Sequence, residues 1–124
     1  MDQQIYQEQT TLFKALNHPV RLAILDVLRL DEACVCHLEA VLGQRQAYIS
    51  QQLAVLREAG LIEDRRDGWN IFYRIKDRRL YDLLEGARTL LGLPPAADEA
   101  HLVPVECPCP KCTQKRESKP YSKA

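Results

Sequence analysis

Residues 32–75 read EACVCHLEAVLGQRQAYISQQLAVLREAGLIEDRRDGWNIFYRI. Residues 34–42 form a short apolar helical segment that stops at Gly43. Residues 46–59 form a second helix, with Ile49, Leu53 and Leu56 on one face and Gly60 at its end. Leu61–Arg66 and Asn70–Ile75 then alternate as strands around Asp67-Gly68, a strong tight-turn signal. Two helices joined by a short turn and followed at once by a hairpin make a winged helix-turn-helix, since an all-helical bundle needs no hairpin. The expected fold class is mainly α with a small β-hairpin.

Upstream, residues 4–16 read as a helix with Ile5, Leu12, Phe13 and Leu16 as its apolar positions. Asn17-His18-Pro19 breaks the chain, and Pro19 suits the first turn of the next helix because its missing N–H has no intrahelical partner there. Val20, Ala23, Ile24, Val27 and Leu28 follow at helical spacing. Downstream, residues 78–91 place Leu80, Leu83, Leu84, Ala87 and Leu91 on one helical face. All five glycines fall at or before Gly92, and six of the seven prolines at or after Pro94. The chain thus divides into a folded body, residues 1–92, and a Pro/Cys-rich C-terminal tail, residues 93–124.

The 124 residues include 17 Lys+Arg and 17 Asp+Glu, with 46% apolar and 27% charged residues. That is the composition of one ordinary globular domain. It excludes a collagen, a disordered chain and a membrane protein, since no apolar run nears the roughly 18–20 residues of a membrane helix. The start, MDQQIYQEQT, is too polar for a secretory signal. A cytoplasmic location follows as the expectation, and in a reducing compartment clustered thiols more often bind metal or do redox chemistry than form disulfides. No Ser/His/Asp arrangement, Gly-rich phosphate loop or paired-carboxylate motif stands out, so the chain is not expected to be an enzyme.

Net charge of zero hides an uneven distribution. Residues 45–79 hold Arg45, Arg57, Arg65, Arg66, Arg74, Lys76, Arg78 and Arg79 against five acids. A basic middle on a neutral protein suggests a polyanion partner met by one face. Gln44, Arg45, Gln46, Tyr48, Ser50, Gln51 and Gln52 cluster at the start of the 46–59 helix. Neutral hydrogen-bonding side chains there suit base edges in a DNA major groove, and the helix N-terminus favours phosphate. Arg65 and Arg66 bring two guanidiniums to the hairpin turn, where arginine binds phosphate or enters a minor groove. The competing readings are a solvated charged surface and an edge strand guarded by charge. Trp69 can pack back on the body without touching DNA.

Five cysteines form two groups. Cys34 and Cys36 flank Val35 and precede His37. Two residues are 200° of helix rotation, so both thiols reach one ion only if that turn is irregular, and the spacing therefore predicts a helix terminus. The alternative is a pair of buried thiols acting as small hydrophobes. Cys107, Cys109 and Cys112 lie in Cys-Pro-Cys-Pro-Lys-Cys, where prolines forbid helix and central strand. Lys111 can lower neighbouring thiol pKa values. Metal binding is favoured there over redox chemistry. Soft thiolates select Zn, Cd, Pb or trivalent arsenic, with three thiolates for arsenite and four ligands for Cd or Zn. His37 and His101 are weaker ligand candidates.

LFKALNHPVRLAILDVL, EACVCHLEAVLG and QAYISQQLAVLREAGLIEDRRDGWNIFYRI together resemble the ArsR/SmtB family of bacterial metal-sensing repressors, over about residues 10–91. The resemblance implies a homodimer joined through the first and last helices. It implies binding to double-stranded operator DNA in the metal-free state and release when metal binds. It places Ser50 and Gln51 at the base-contacting positions, the wing at 65–70, and Cys34 and Cys36 at the first two sensing thiols. This chain departs from the family's patterns at three points. His37 stands where the arsenite pattern adds a third thiol; no Cys precedes Cys34 to supply the cadmium-type site; and Asp77-Arg78-Arg79 lacks the His of the zinc-type site. The expected ligands are therefore Cys34 and Cys36 with one or two of Cys107, Cys109 and Cys112, from the same or the partner subunit. Arsenite is the first choice of inducer, then Cd, Pb or Zn. Two rivals keep the DNA-binding fold: a reversible disulfide or polysulfide on the vicinal thiols, and a purely structural Zn in the tail.

Overall fold

The computed structural model describes residues 2–96. The order is α1 (Gln3–Leu16), α2 (Pro19–Leu28), β1 (Ala33–Cys34), α3 (Val35–Leu42), α4 (Gln46–Glu58), β2 (Ile62–Asp67), β3 (Asn70–Ile75) and α5 (Leu80–Leu91). This is a winged helix-turn-helix, with α3 and α4 as the helical pair and β2–β3 as the wing. Gly43 ends α3 with φ 65°, a left-handed conformation that costs a side-chain-bearing residue energy, and so turns the chain sharply into α4.

The wing carries one strand more than a hairpin. Ala33 and Cys34 pair antiparallel with Tyr73 and Phe72, giving a three-stranded sheet in the order β1-β3-β2. Two residues are too few to show alternation, so β1 left no periodic signal in the sequence. Its consequence is that Cys34 belongs to the sheet, and α3 begins at Val35. The last helix starts at Leu80, not at residue 78. Asp77 instead folds the chain into a turn by accepting from the backbone N–H and the guanidinium of Arg79. Those hydrogen bonds, the side-chain one foremost, pull the Asp77 carboxyl down to about 2.

The core gathers Ile24, Leu25, Leu28, Leu38, Ile49, Leu53, Leu56 and Ile62 from α2, α3, α4 and β2. At roughly 1.5–3 kcal/mol for each large aliphatic side chain buried, this cluster anchors α4 against the body. A smaller cluster joins Cys34 and Phe72, with Cys36 packed against it. Ile5, Phe13, Leu22, Leu83, Leu90, Leu91 and Leu93 stay exposed on or beside α1, α2 and α5.

Candidate functional site

Helix α4 presents its two sides as the pattern predicts, with one exception. Ile49, Leu53 and Leu56 are buried, whereas Arg45, Gln46, Ser50 and Gln51 are exposed and Gln44 and Tyr48 half-buried. Arg45 is the N-cap and makes no side-chain cap hydrogen bond, so it leaves the first-turn amides uncapped by its own side chain. The exception is Gln52, expected among the reading residues but buried. Its Oε1 accepts from Arg21 Nη1 at 2.8 Å, and the same guanidinium donates to the Ala15 and Lys14 carbonyls. Gln52 therefore fixes α4 to the end of α1 instead of facing outward.

Tyr48 is held by a residue that sequence reasoning treated only as a chain break. His18 caps α2 by accepting the Val20 N–H at Nδ1, 3.1 Å, and its Nε2 lies 3.0 Å from the Tyr48 hydroxyl. Because Nδ1 accepts, the neutral imidazole carries its proton on Nε2 and donates it to the tyrosine oxygen. The tyrosine's own proton is then left to point elsewhere. The available signal was positional: a histidine directly before a Pro-initiated helix sits at the N-cap.

At the wing, Trp69 is 100% exposed in the turn between Asp67 and Asn70 and does not pack back on the body. Arg66 is exposed. Arg65 differs, because its Nε and Nη2 donate to the Glu32 carboxylate at 3.2 and 2.5 Å, and its guanidinium lies 5.0 Å over the Phe72 ring. Glu32's hydrogen bond raises the Arg65 pKa further.

The thiols meet. Cys34 is extended (φ −88°, ψ 169°) and serves as N-cap of α3, so helical rotation does not separate it from Cys36. The two Sγ atoms are 2.8 Å apart without forming a disulfide, and Cys34 Sγ accepts the His37 N–H at 3.4 Å. The His37 side chain is buried. Cys107, Cys109, Cys112 and His101 lie outside the described residues. Among the described residues no group of three or more His, Cys, Asp or Glu side chains gathers as a metal site. Two sulfurs alone fall short of the three or four soft donors that a thiophilic ion takes. No helix among the described residues is long and apolar enough to cross a membrane.

Residues 18–64 match the family model described as bacterial regulatory protein, arsR family. The biofilm growth-associated repressor of Agrobacterium fabrum is 41% identical over 87 residues, covering 70% of this chain and 74% of that one. The chain belongs to the ArsR family. Within it, the arsenical resistance operon repressor of Escherichia coli is 48% identical over 65 residues, 52% of this chain and 56% of that one. A winged helix-turn-helix DNA-binding domain of Mycobacterium bovis, described as homodimeric, superposes with a TM-score of 0.65 at 28% identity, covering 71% of this chain and 82% of that one. As an ArsR-family protein the chain is a transcriptional repressor and not an enzyme.

Proposed function

We propose that this repressor binds operator DNA as a homodimer in the bacterial cytoplasm and lets go when a thiophilic ion engages Cys34 and Cys36. Arsenite is the first choice, and Cd, Pb or Zn the second. The observation that carries the reading is the dithiol itself, two sulfurs 2.8 Å apart where the sheet passes into the helix-turn-helix. One or two of Cys107, Cys109 and Cys112 would complete the donor set. The ion supplies bonds to sulfur that neither proton nor water can replace, and the chain's own residues do the rest. Cys34 ends β1 and starts α3, so a change in its position is felt by both the wing and the helix that precedes α4.

On the DNA side, Gln44, Arg45, Gln46, Tyr48, Ser50 and Gln51 face the major groove, and Arg66 with Trp69 lies at the wing tip. Exposed Phe13, Leu83, Leu90 and Leu91 on α1 and α5 are the surface on which a second copy seats. Resemblance to an arsenical resistance repressor supports the ion reading.

A second reading has its own support. Two free thiols in contact are also the arrangement from which a reversible disulfide forms when an oxidant takes two electrons and two protons from the pair. The test begins by selecting a duplex from a random library with reduced, metal-free protein. Arsenite, Cd, Zn and a metal-free oxidant are then titrated against that duplex. Release by an ion, lost in Cys34→Ser and Cys36→Ser, supports the first reading. Release by oxidant alone, reversed by dithiothreitol, supports the second, and release by neither rejects both.

A further inference from the structure

We infer that Glu32, Phe72 and Arg65 are the positioning residues that carry a change at the dithiol to the wing. This rests on the proposal that Cys34 and Cys36 receive the inducer. Cys34 pairs with Phe72 across β1 and β3, and Phe72 pairs with Arg65 across β3 and β2. Directly opposed residues project from the same face of a sheet, so the three side chains form one row. Phe72, 1% exposed, touches the thiols on one side and lies under the Arg65 guanidinium on the other.

The row closes on itself. Arg65 grips Glu32 through two hydrogen bonds, and Glu32 lies two residues before Cys34 on the same approach to β1. A fork-shaped pair of this kind fixes direction as well as distance. Its carboxylate side chain is only 14% exposed, so solvent screens it less than an ordinary surface pair. Arg65 therefore belongs to the sheet's internal bracing, which leaves Arg66 as the wing arginine directed at DNA. Phe72 is buried between the thiols and the Arg65 guanidinium, so a shift of Cys34 is passed through it to β3 and β2.

The test uses the full chain with arsenite as the probe. Arsenic uptake is followed by sulfur-to-arsenic absorption, and affinity for the selected duplex is measured with and without arsenite. Glu32→Gln is expected to take up arsenite and bind DNA as the wild type does, while its arsenite-induced loss of affinity shrinks about fivefold or more. Exchanging the charges, Glu32→Arg with Arg65→Glu, is expected to restore part of the release, which a merely structural loss would not allow. Phe72→Leu, keeping apolar bulk, is expected to behave like Glu32→Gln. Full release in Glu32→Gln overturns the inference alone. A wild type that takes up no arsenite, or keeps its DNA after uptake, overturns this inference together with the ion reading.

Discussion

The Tyr48 hydroxyl accepts a hydrogen bond from His18 Nε2 across 3.0 Å, tying the start of α4 to the cap of α2. The tyrosine's own proton is left to donate elsewhere, and under the proposed function its acceptor is a phosphate or base. Tyr48→Phe is expected to weaken binding to the selected duplex by about 3–10-fold, the worth of one hydrogen bond. His18→Asn separates cap from orientation, because Asn is a good N-cap but too short to reach Tyr48. It should retain thermal stability and lose DNA affinity to a similar degree. The double variant should be no worse than either single one in a mobility-shift titration, since both remove the same contact.

Gln52 makes the opposite prediction. Buried against Arg21, it acts on stability and not on readout. Gln52→Leu leaves an arginine donor short of its partner and should cost about 1–3 kcal/mol in urea unfolding. The base preference of whatever protein remains folded should be unchanged when duplexes with single-base changes are compared.

Trp69 is the single tryptophan of the chain and stands fully exposed at the wing tip. Its fluorescence therefore reports on the wing alone. Adding the selected duplex should quench or blue-shift the emission, and unrelated DNA at raised salt should not. Trp69→Ala should change stability by no more than about 0.5 kcal/mol, because nothing in the body packs on it. Emission indifferent to the duplex would show that the wing tip stays clear of DNA.

Much of this was legible in the sequence because it rests on repeating patterns. Helices α1, α2 and α4 and the hairpin follow from apolar periodicity and turn residues, and the two-residue cysteine spacing points to a helix terminus at Cys34 on the premise that both thiols meet. Other features have no local signature. β1 is too short to alternate, and Gln52 resembles its exposed neighbours until Arg21, distant in sequence, reaches it. The roles of His18 and Arg65 likewise depend on partners 30 and 33 residues away. Periodicity tells which way a side chain faces, but not which polar group meets it.

The exposed apolar face of α1 and α5 predicts assembly. Leu83 and Leu91 were expected on one helical face with Leu80 and Leu84, and of these Leu80 is buried while Leu83 and Leu91 are 38% and 69% exposed. Leu83→Glu with Leu91→Glu should place charge in any interface formed there. Sedimentation should then shift from dimer to monomer, with DNA affinity falling steeply because two half-sites are no longer held together. The monomer fold, judged by circular dichroism, should persist.

Tyr81 gives the pH prediction. Its hydroxyl donates to the Leu25 carbonyl at 2.7 Å, joining α5 to α2, and burial above all pushes its pKa from 10 up to about 12. A folded-state pKa raised above the unfolded value means that the native state holds its proton more tightly. The contribution is complete below about pH 10 and drains away between about pH 10 and pH 12, where the unfolded chain ionises first. Urea midpoints measured from pH 8 to pH 12 should fall in that window. Tyr81→Phe should start lower, by about 1 kcal/mol for the lost hydrogen bond, and should decline less between those limits. Since Tyr81→Phe keeps the other four tyrosines, the difference between the two curves isolates this hydroxyl. Parallel curves would mean that Tyr81 ionises as easily folded as unfolded, and the absence of an offset at pH 8 would mean that its contact with Leu25 does not hold α5 in place.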